Sequence, residues 1–133
     1  MANDDSVSRK AVRFVLDYET QQGRTVVDVQ SDKQFRGFDV FSFSKDKKDI
    51  RTIEVKGTER KNGIPDCFET EFTKEKRLIA THMYVVNFSN PNKTVLYAIP
   101  AAAFKPEYLR TTMHYKISSS FKTKILPKYQ VLI

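Results

Sequence analysis

Hydrophobic positions near the start of the chain recur with the spacing of an α-helix. Ala11, Val12, Val15 and Leu16 fall on one helical face, and polar residues occupy the positions between them. Gly23 follows as a natural stop. The spacing therefore predicts an amphipathic helix over 7–22.

Beyond Gly23 the pattern changes to the alternation and β-branched runs that are typical of strands. Strands are predicted over 25–29, 38–44, 50–56, 83–88 and 94–99. Charged residues at 45–49 connect a predicted hairpin, and residues 89–92 supply turn chemistry between the last two strands. A second, short helix is predicted over 73–81, with Thr73 as its cap, and the tail favours strand at 114–117 and 130–133.

The order of these elements is helix, strands, helix, strands. The valine-rich run at 83–88 is typical of a strand that is buried on both faces. Together the order and the run predict an α/β fold in which a central sheet is covered on both sides.

Length and composition favour one domain in a reducing compartment. At 133 residues and 40% hydrophobic content, the chain is long enough to bury a core without disulfides or a structural metal. The polar, acidic start argues against a signal peptide, and no apolar run is long enough to span a membrane. The single cysteine, Cys67, cannot form an internal disulfide, so a cytoplasmic location is expected. One cysteine and two distant histidines also make a zinc site an unfavoured alternative.

Positive charge is concentrated in the last third of the chain. The formal net charge is +7, and residues 92–133 hold seven basic residues but a single acid, Glu107. Such a segment attracts phosphate backbones through counterion release. A solvated, solubilising surface is an equally good interpretation of charge alone.

Three charged residues on adjacent predicted strands define candidate chemistry. Side chains alternate along a strand, so Glu54 and Lys56 point the same way, and Asp39 can join them if the two strands pair. Two carboxylates, the carbonyl of Val55, waters and a phosphate oxygen would complete the oxygen shell that Mg²⁺ requires, with Mn²⁺ as a second suitable ion. Lys56 could orient the attacking water or neutralise charge in the transition state. The pattern indicates phosphodiester hydrolysis, whereas Glu54 and Lys56 alone also fit the wet face of a surface strand.

Short motifs follow one another in a fixed order along the chain: Tyr18 and Glu19, then Gly37, Phe38 and Asp39, and the segments 53–57, 73–75 and 84–86. This order resembles the PD-(D/E)XK nuclease superfamily, which includes restriction endonucleases, Mrr-like enzymes and archaeal Holliday-junction resolvases. The resemblance covers roughly residues 9 to 99, and is closer to a group of small, poorly characterised nuclease-like domains within it. Phe38 stands where the superfamily name has proline, and Glu75 and Lys76 are out of step with the acid expected at the second helix.

The resemblance implies a restriction-endonuclease-like αβββαβ core with a central mixed sheet flanked by helices. Residues 1–133 would form a single nuclease-like domain, with its core at about 7–99 and a basic, β-leaning extension at 100–133. Asp39 and Glu54 would be metal ligands and Lys56 the catalytic lysine. Glu19 would be an accessory acid on the first helix that faces the metal site, although a solvent-facing glutamate explains it almost as well.

Other basic residues are candidates for holding the nucleic-acid backbone. They lie beside the motifs, on the loop after the third strand or on the predicted second helix, whose N-terminus would itself favour phosphate: Arg36, Arg60, Lys61, Lys74 and Arg77. Each alone also fits a solvated charge. The aromatic residues between 35 and 43 are expected to belong to the sheet, and no base-stacking platform is predicted.

The resulting hypothesis is a Mg²⁺-dependent endonuclease acting on DNA without a small-molecule cofactor. Its size and charge also suit a Holliday-junction resolvase, which would require a homodimer. The alternative is a non-catalytic nucleic-acid-binding or interaction module that keeps a nuclease fold.

Overall fold

The fold is described by a computed structural model for residues 2–32, 34, 37–61, 64–65, 71–111 and 115–133. One long helix, α1 (Ala2–Gln21), precedes the sheet and begins earlier than its pattern predicted. Five strands form the main sheet: β1 (Thr25–Asp28), β2 (Val40–Phe43), β3 (Ile50–Thr58), β4 (His82–Asn87) and β5 (Val95–Pro100). All five coincide with predicted strands to within a few residues.

The main sheet is mixed, with the strands in sequence order from β1 to β5. Strands β1, β2 and β3 form an antiparallel meander, β3 and β4 run parallel, and β5 returns antiparallel to β4. In this register Val40 lies opposite Ile53, and Glu54 lies beside Met83. The predicted α/β class with a central mixed sheet is confirmed.

Helix α1 covers one face of the sheet. Its apolar residues Ala11, Val12 and Val15 are fully buried and pack in one cluster with side chains that include Ile53 and Val55. The helix approaches β3 closely at Gly57, where an added Cβ would lie 2.8 Å from Ala11 Cβ and 3.0 Å from the Val7 carbonyl oxygen. Glycine at this position therefore permits the packing of α1 on the strand that carries Glu54 and Lys56.

The C-terminal segment folds over the opposite face. It contains short helical turns and a two-stranded ribbon: Ala101–Ala103, Pro106–Tyr108, β6 (Leu109–Thr111), β7 (Tyr115–Ile117), Phe121–Ile125 and Leu126–Tyr129. Phe104 stacks on Phe121 with ring centroids 5.0 Å apart, and both lie in a core cluster with Met83 and Val85 of β4. We call residues 101–129 the basic cap. Both faces of the sheet around β4 are therefore covered, as the valine-rich run predicted.

The tail prediction is correct only in part. Tyr115–Ile117 is a strand, and His114 lies outside the described residues. The expected strand at 130–133 is wrong, because this segment makes only an isolated bridge between Gln130 and Tyr97. Helical turns, which the sequence pattern did not indicate, occupy 121–129.

The predicted second helix at 73–81 is wrong. This segment is a tight turn closed by a bridge between Phe72 and Leu78, in which the Thr73 amide donates to the Arg77 carbonyl at 2.8 Å. Lys76 adopts a left-handed conformation, with φ of 62°. Phe72 and Leu78 are both buried in the core under the basic cap, and residues six positions apart on a helix would face different sides. Among the described residues between β3 and β4 there is no α-helix.

No helix in the described part of the chain combines the length and the apolar character that crossing a membrane requires.

Candidate active site

Asp39 enters the site from the turn that leads into β2. Gly37 makes this turn with φ of +87°, and an added Cβ would lie 2.9 Å from Ile79 Cγ2, so a side chain is excluded there. The Asp39 amide donates to the Ile53 carbonyl at 2.8 Å, which ties the residue to β3. Asp39 is therefore held beside the middle of β3 by backbone bonds.

Strand alternation places Asp39, Glu54 and Lys56 on one face of the sheet. Val40, Ile53 and Val55 pack under α1, so the residues that alternate with them point to the opposite face. Asp39 Oδ2 accepts a hydrogen bond from the Val55 amide at 2.8 Å, and Lys56 Nζ lies 3.4 Å from Glu54 Oε2. The structure thus brings together the three residues that strand spacing singled out.

A fourth residue, Glu71, joins this group from the segment between β3 and β4. Its Oε1 lies 2.5 Å from Lys56 Nζ, and the residue is buried. The sequence pattern did not single out Glu71, because it lies outside the predicted strands, 15 positions after Lys56. Its position directly before Phe72 in the sequence gave no sign of its role, because only the folded chain brings it to Lys56.

Burial disfavours the ionised forms of the two acids that face each other in the site. Burial, followed by the neighbouring charge of Asp39, raises the pKa of Glu54 to about 8, although Lys56 acts in the opposite direction. Burial also raises the pKa of Asp39, against the lowering effects of the Val55 amide bond and Lys56. Among the described residues, three acids thus share the ammonium group of Lys56, and a second cation would stabilise their ionised forms.

Donor chemistry at the site suits a hard divalent ion. Asp39 and Glu54 supply carboxylate oxygens. The N–H and C=O of one strand residue point to the same side of the strand, and the Val55 N–H donates to Asp39. The Val55 carbonyl is therefore directed to the same edge of β3 as Asp39. Glu71 is held by Lys56. Within the described residues, no group of three or more His, Cys, Asp and Glu side chains is arranged to hold a metal. A complete shell would therefore need water and substrate oxygens beside Asp39, Glu54 and Val55.

Glu19 does not face this site, and the expectation that it would is wrong. It lies on the face covered by α1 and is fully buried. Its carboxylate accepts hydrogen bonds from Ser42 Oγ at 2.8 Å and Tyr84 Oη at 3.1 Å. Arg24 and Arg51 form ion pairs with it at 3.4 and 3.3 Å. A buried carboxylate requires such partners, so Glu19 anchors the end of α1 to the sheet.

The predicted phosphate-binding residues are dispersed. Arg60 and Lys61 are exposed just past the end of β3. Lys74 and Arg77 lie on the turn closed by Phe72 and Leu78, so no helix N-terminus supports them. Arg36 lies outside the described residues.

The fold and the site define a mixed α/β domain with a largely buried cluster of acids around one lysine. Residues 7–96 match the family described as Protein NO VEIN, C-terminal, and the chain belongs to that family. The matched region contains Asp39, Glu54, Lys56 and Glu71, whereas the basic cap lies beyond it. No curated protein and no solved structure matches the chain.

Proposed function

We propose that this protein is a Mg²⁺-dependent endonuclease of the PD-(D/E)XK type that hydrolyses DNA phosphodiester bonds. The observation that carries the proposal is the convergence of Asp39, Glu54 and Lys56 on one sheet face, with Glu71 against the lysine. Two adjacent carboxylates whose pKa values are raised by burial are costly to a fold unless a cation or a reaction requires them.

Each residue has a role in this proposal. Asp39, Glu54 and the Val55 carbonyl would hold the ion, which supplies Lewis-acid polarisation of the phosphoryl group. Water attacks phosphorus, the bond from phosphorus to one bridging oxygen breaks, and the proton of the water passes to solvent while the leaving oxygen gains one. Lys56 orients the water and neutralises negative charge as it develops, and Glu71 fixes the ammonium group in position.

DNA is the proposed partner because the basic cap packs on the same sheet face as the acid cluster. Phe104, Leu109 and Phe121 of the cap share a core cluster with Met83 and Val85, which lie beside Glu54 and Lys56 in the sheet. The cap carries most of the positive charge of the C-terminal third. A phosphate backbone drawn to the cap would run close to the site.

The test is cleavage of plasmid, single-stranded and branched DNA in Mg²⁺ or Mn²⁺. Asp39→Asn, Glu54→Gln and Lys56→Met should each lower the rate on the order of 10²- to 10⁴-fold, because each removes a ligand or a charge used in the transition state. Glu19→Gln is the matched control, since it neutralises a buried acid on the opposite face. Its cleavage rate per folded molecule should equal that of the wild type.

Intact DNA after incubation of folded wild-type protein with either ion would overturn the proposal. A fall in cleavage by Glu19→Gln equal to that of Glu54→Gln would also contradict it.

A non-catalytic nucleic-acid-binding module is the second candidate, favoured by the way Lys56 already engages Glu54 and Glu71. The ammonium would then act as the permanent cation of the cluster. This function predicts salt-dependent DNA binding without a metal requirement. Calorimetric titration with Mn²⁺ separates the two, because the nuclease should show binding that Glu54→Gln abolishes.

A Holliday-junction resolvase is the narrower form of the proposal. Such an enzyme cuts two strands symmetrically and would be a C₂ homodimer. A monomer mass in gel filtration would argue against it.

We place the activity in the cytoplasm because the chain contains a single cysteine, Cys67.

A further inference from the structure

An apolar surface lies beside the acid cluster on the same face of the sheet. Val27 pairs with Phe41, and Phe43 pairs with Ile50, so these four side chains form one group that we call the apolar patch. Val27 and Ile50 are 45% and 55% exposed, and Phe41 and Phe43 are half-buried. Phe41 packs edge-to-face against Phe38, with ring centroids 4.9 Å apart, so Phe43 is the aromatic ring of the patch considered for stacking. The patch lines a shallow depression of about 350 Å³.

The patch continues directly into the candidate active site. Phe43, Phe41 and Asp39 follow one another at every second position of one extended segment and therefore point to the same face. At the rise of an extended chain, Phe41 and Phe43 lie about 7 and 14 Å from Asp39 along the strand. A chain molecule that reaches Asp39 with one phosphate can place a neighbouring group over the patch.

Charge at the edge of the patch favours an anionic ligand over a second copy of the chain. Lys47 lines the depression, and Lys45 and Lys48 lie in the same turn. The acids of this turn are engaged, because Asp49 binds Arg24 and Asp46 accepts hydrogen bonds from Ser44 and Lys48. A second copy would bring the same lysines to the contact, whereas a nucleotide combines an apolar face with a negative phosphate.

We propose that the apolar patch is a base-binding subsite for single-stranded DNA, on which an unpaired base near the scissile phosphate stacks on Phe43. This inference rests on the proposed function and names its substrate class. Bases in a duplex are stacked on one another and cannot lie flat on a protein surface, whereas aromatic side chains bind unpaired bases of any sequence. The subsite therefore favours single-stranded or locally unpaired DNA over intact duplex.

The test compares a labelled single-stranded oligonucleotide with the same oligonucleotide made abasic, by fluorescence anisotropy in EDTA. The two probes carry equal phosphate charge, so a difference in Kd reports contacts to bases. Wild-type protein should bind the abasic probe about 5- to 150-fold more weakly for each base that stacks. Phe43→Leu should weaken binding of the intact probe alone, and Phe43→Tyr should restore it.

Leu132→Ala is the matched control, because Leu132 is 94% exposed and lies outside the patch. It should leave both Kd values unchanged. Equal affinity of wild-type protein for the two probes would overturn the subsite. So would a wild-type dimer in sedimentation that Phe43→Leu converts to monomer, since the patch would then be covered by a second copy.

The metal-free assay separates this inference from the nuclease proposal. Base-dependent binding without any cleavage in Mg²⁺ would retain the subsite and remove the enzyme. Cleavage in Mg²⁺ by a protein that binds the intact and the abasic probes equally would retain the nuclease proposal and remove the subsite.

Discussion

Glu54 links the chemistry of the site to the stability of the protein. Its pKa is raised from 4.5 to about 8, mainly by burial, so the folded protein holds a proton on this group that the unfolded chain releases. The stability associated with the protonated group is fully present below about pH 4.5 and is lost as the pH rises through about 8. Ionised Glu54, the form that would bind a metal ion, therefore lowers the free energy of unfolding.

Glu54→Gln should stabilise the metal-free protein increasingly as the pH rises from about 5 to 8, because glutamine stays neutral like the protonated acid. We expect about 1–3 kcal/mol more relative stability at the upper end of this range, because the wild-type protein must then bury an ionised carboxylate or take up a proton. Urea unfolding at both pH values measures it. A stability difference that does not change with pH would show that Glu54 titrates normally.

At the scale of the element, β3 organises the molecule because its two faces have different tasks. Ile53 and Val55 pack under α1, whereas Glu54 and Lys56 face the acid cluster. Gly57 ends the motif and allows α1 to lie directly on the strand. Residues 53–57 therefore carry candidate catalytic side chains on one face of β3 and contact α1 on the other.

Gly57→Ala should destabilise the protein by about 1–3 kcal/mol, because the new methyl group would displace α1 at Ala11 and Val7. Cleavage should also fall, since any shift of β3 moves Glu54 and Lys56. Gly23→Ala is the control: its φ is +81° but nothing lies within 4 Å, so only backbone strain of about 1 kcal/mol is expected. Thermal unfolding compares them, and wild-type stability in Gly57→Ala would refute the close packing.

At the scale of the whole molecule, the basic cap lies on the side of the sheet that carries the candidate site. The basic cap and the acid cluster share one face, and α1 covers the other. If DNA binds the cap, the salt dependence of binding should come mainly from cap lysines.

Replacing Lys122 and Lys124 by glutamine should lower the slope of log K against log salt by about 0.7–0.9 for each phosphate that these lysines neutralise. Lys10 and Arg13, replaced in the same way on α1, make the matched control, because the net charge changes equally on the opposite side of the sheet. Binding titrations at several salt concentrations measure the slopes. Equal slopes for the two double variants would show that net charge, and not the cap, governs binding.

The amino-acid sequence by itself determined the features that depend on local periodicity. The helical spacing of Ala11, Val12 and Val15 predicted α1, and alternation along β3 predicted that Glu54 and Lys56 share a face, which Asp39 would join if the two strands paired. These features follow from the fixed repeat of each element, which local residues are sufficient to set.

Tertiary structure alone decided which distant residues meet. Thr73 and its neighbours have the local chemistry of a helix start, yet the burial of both Phe72 and Leu78 makes the segment a turn and brings Glu71 to Lys56. The family resemblance implied an accessory acid at Glu19, yet the packing of α1 places it with Arg24 and Arg51. Such contacts depend on how elements far apart in the chain pack together, and local periodicity carries no information about that packing.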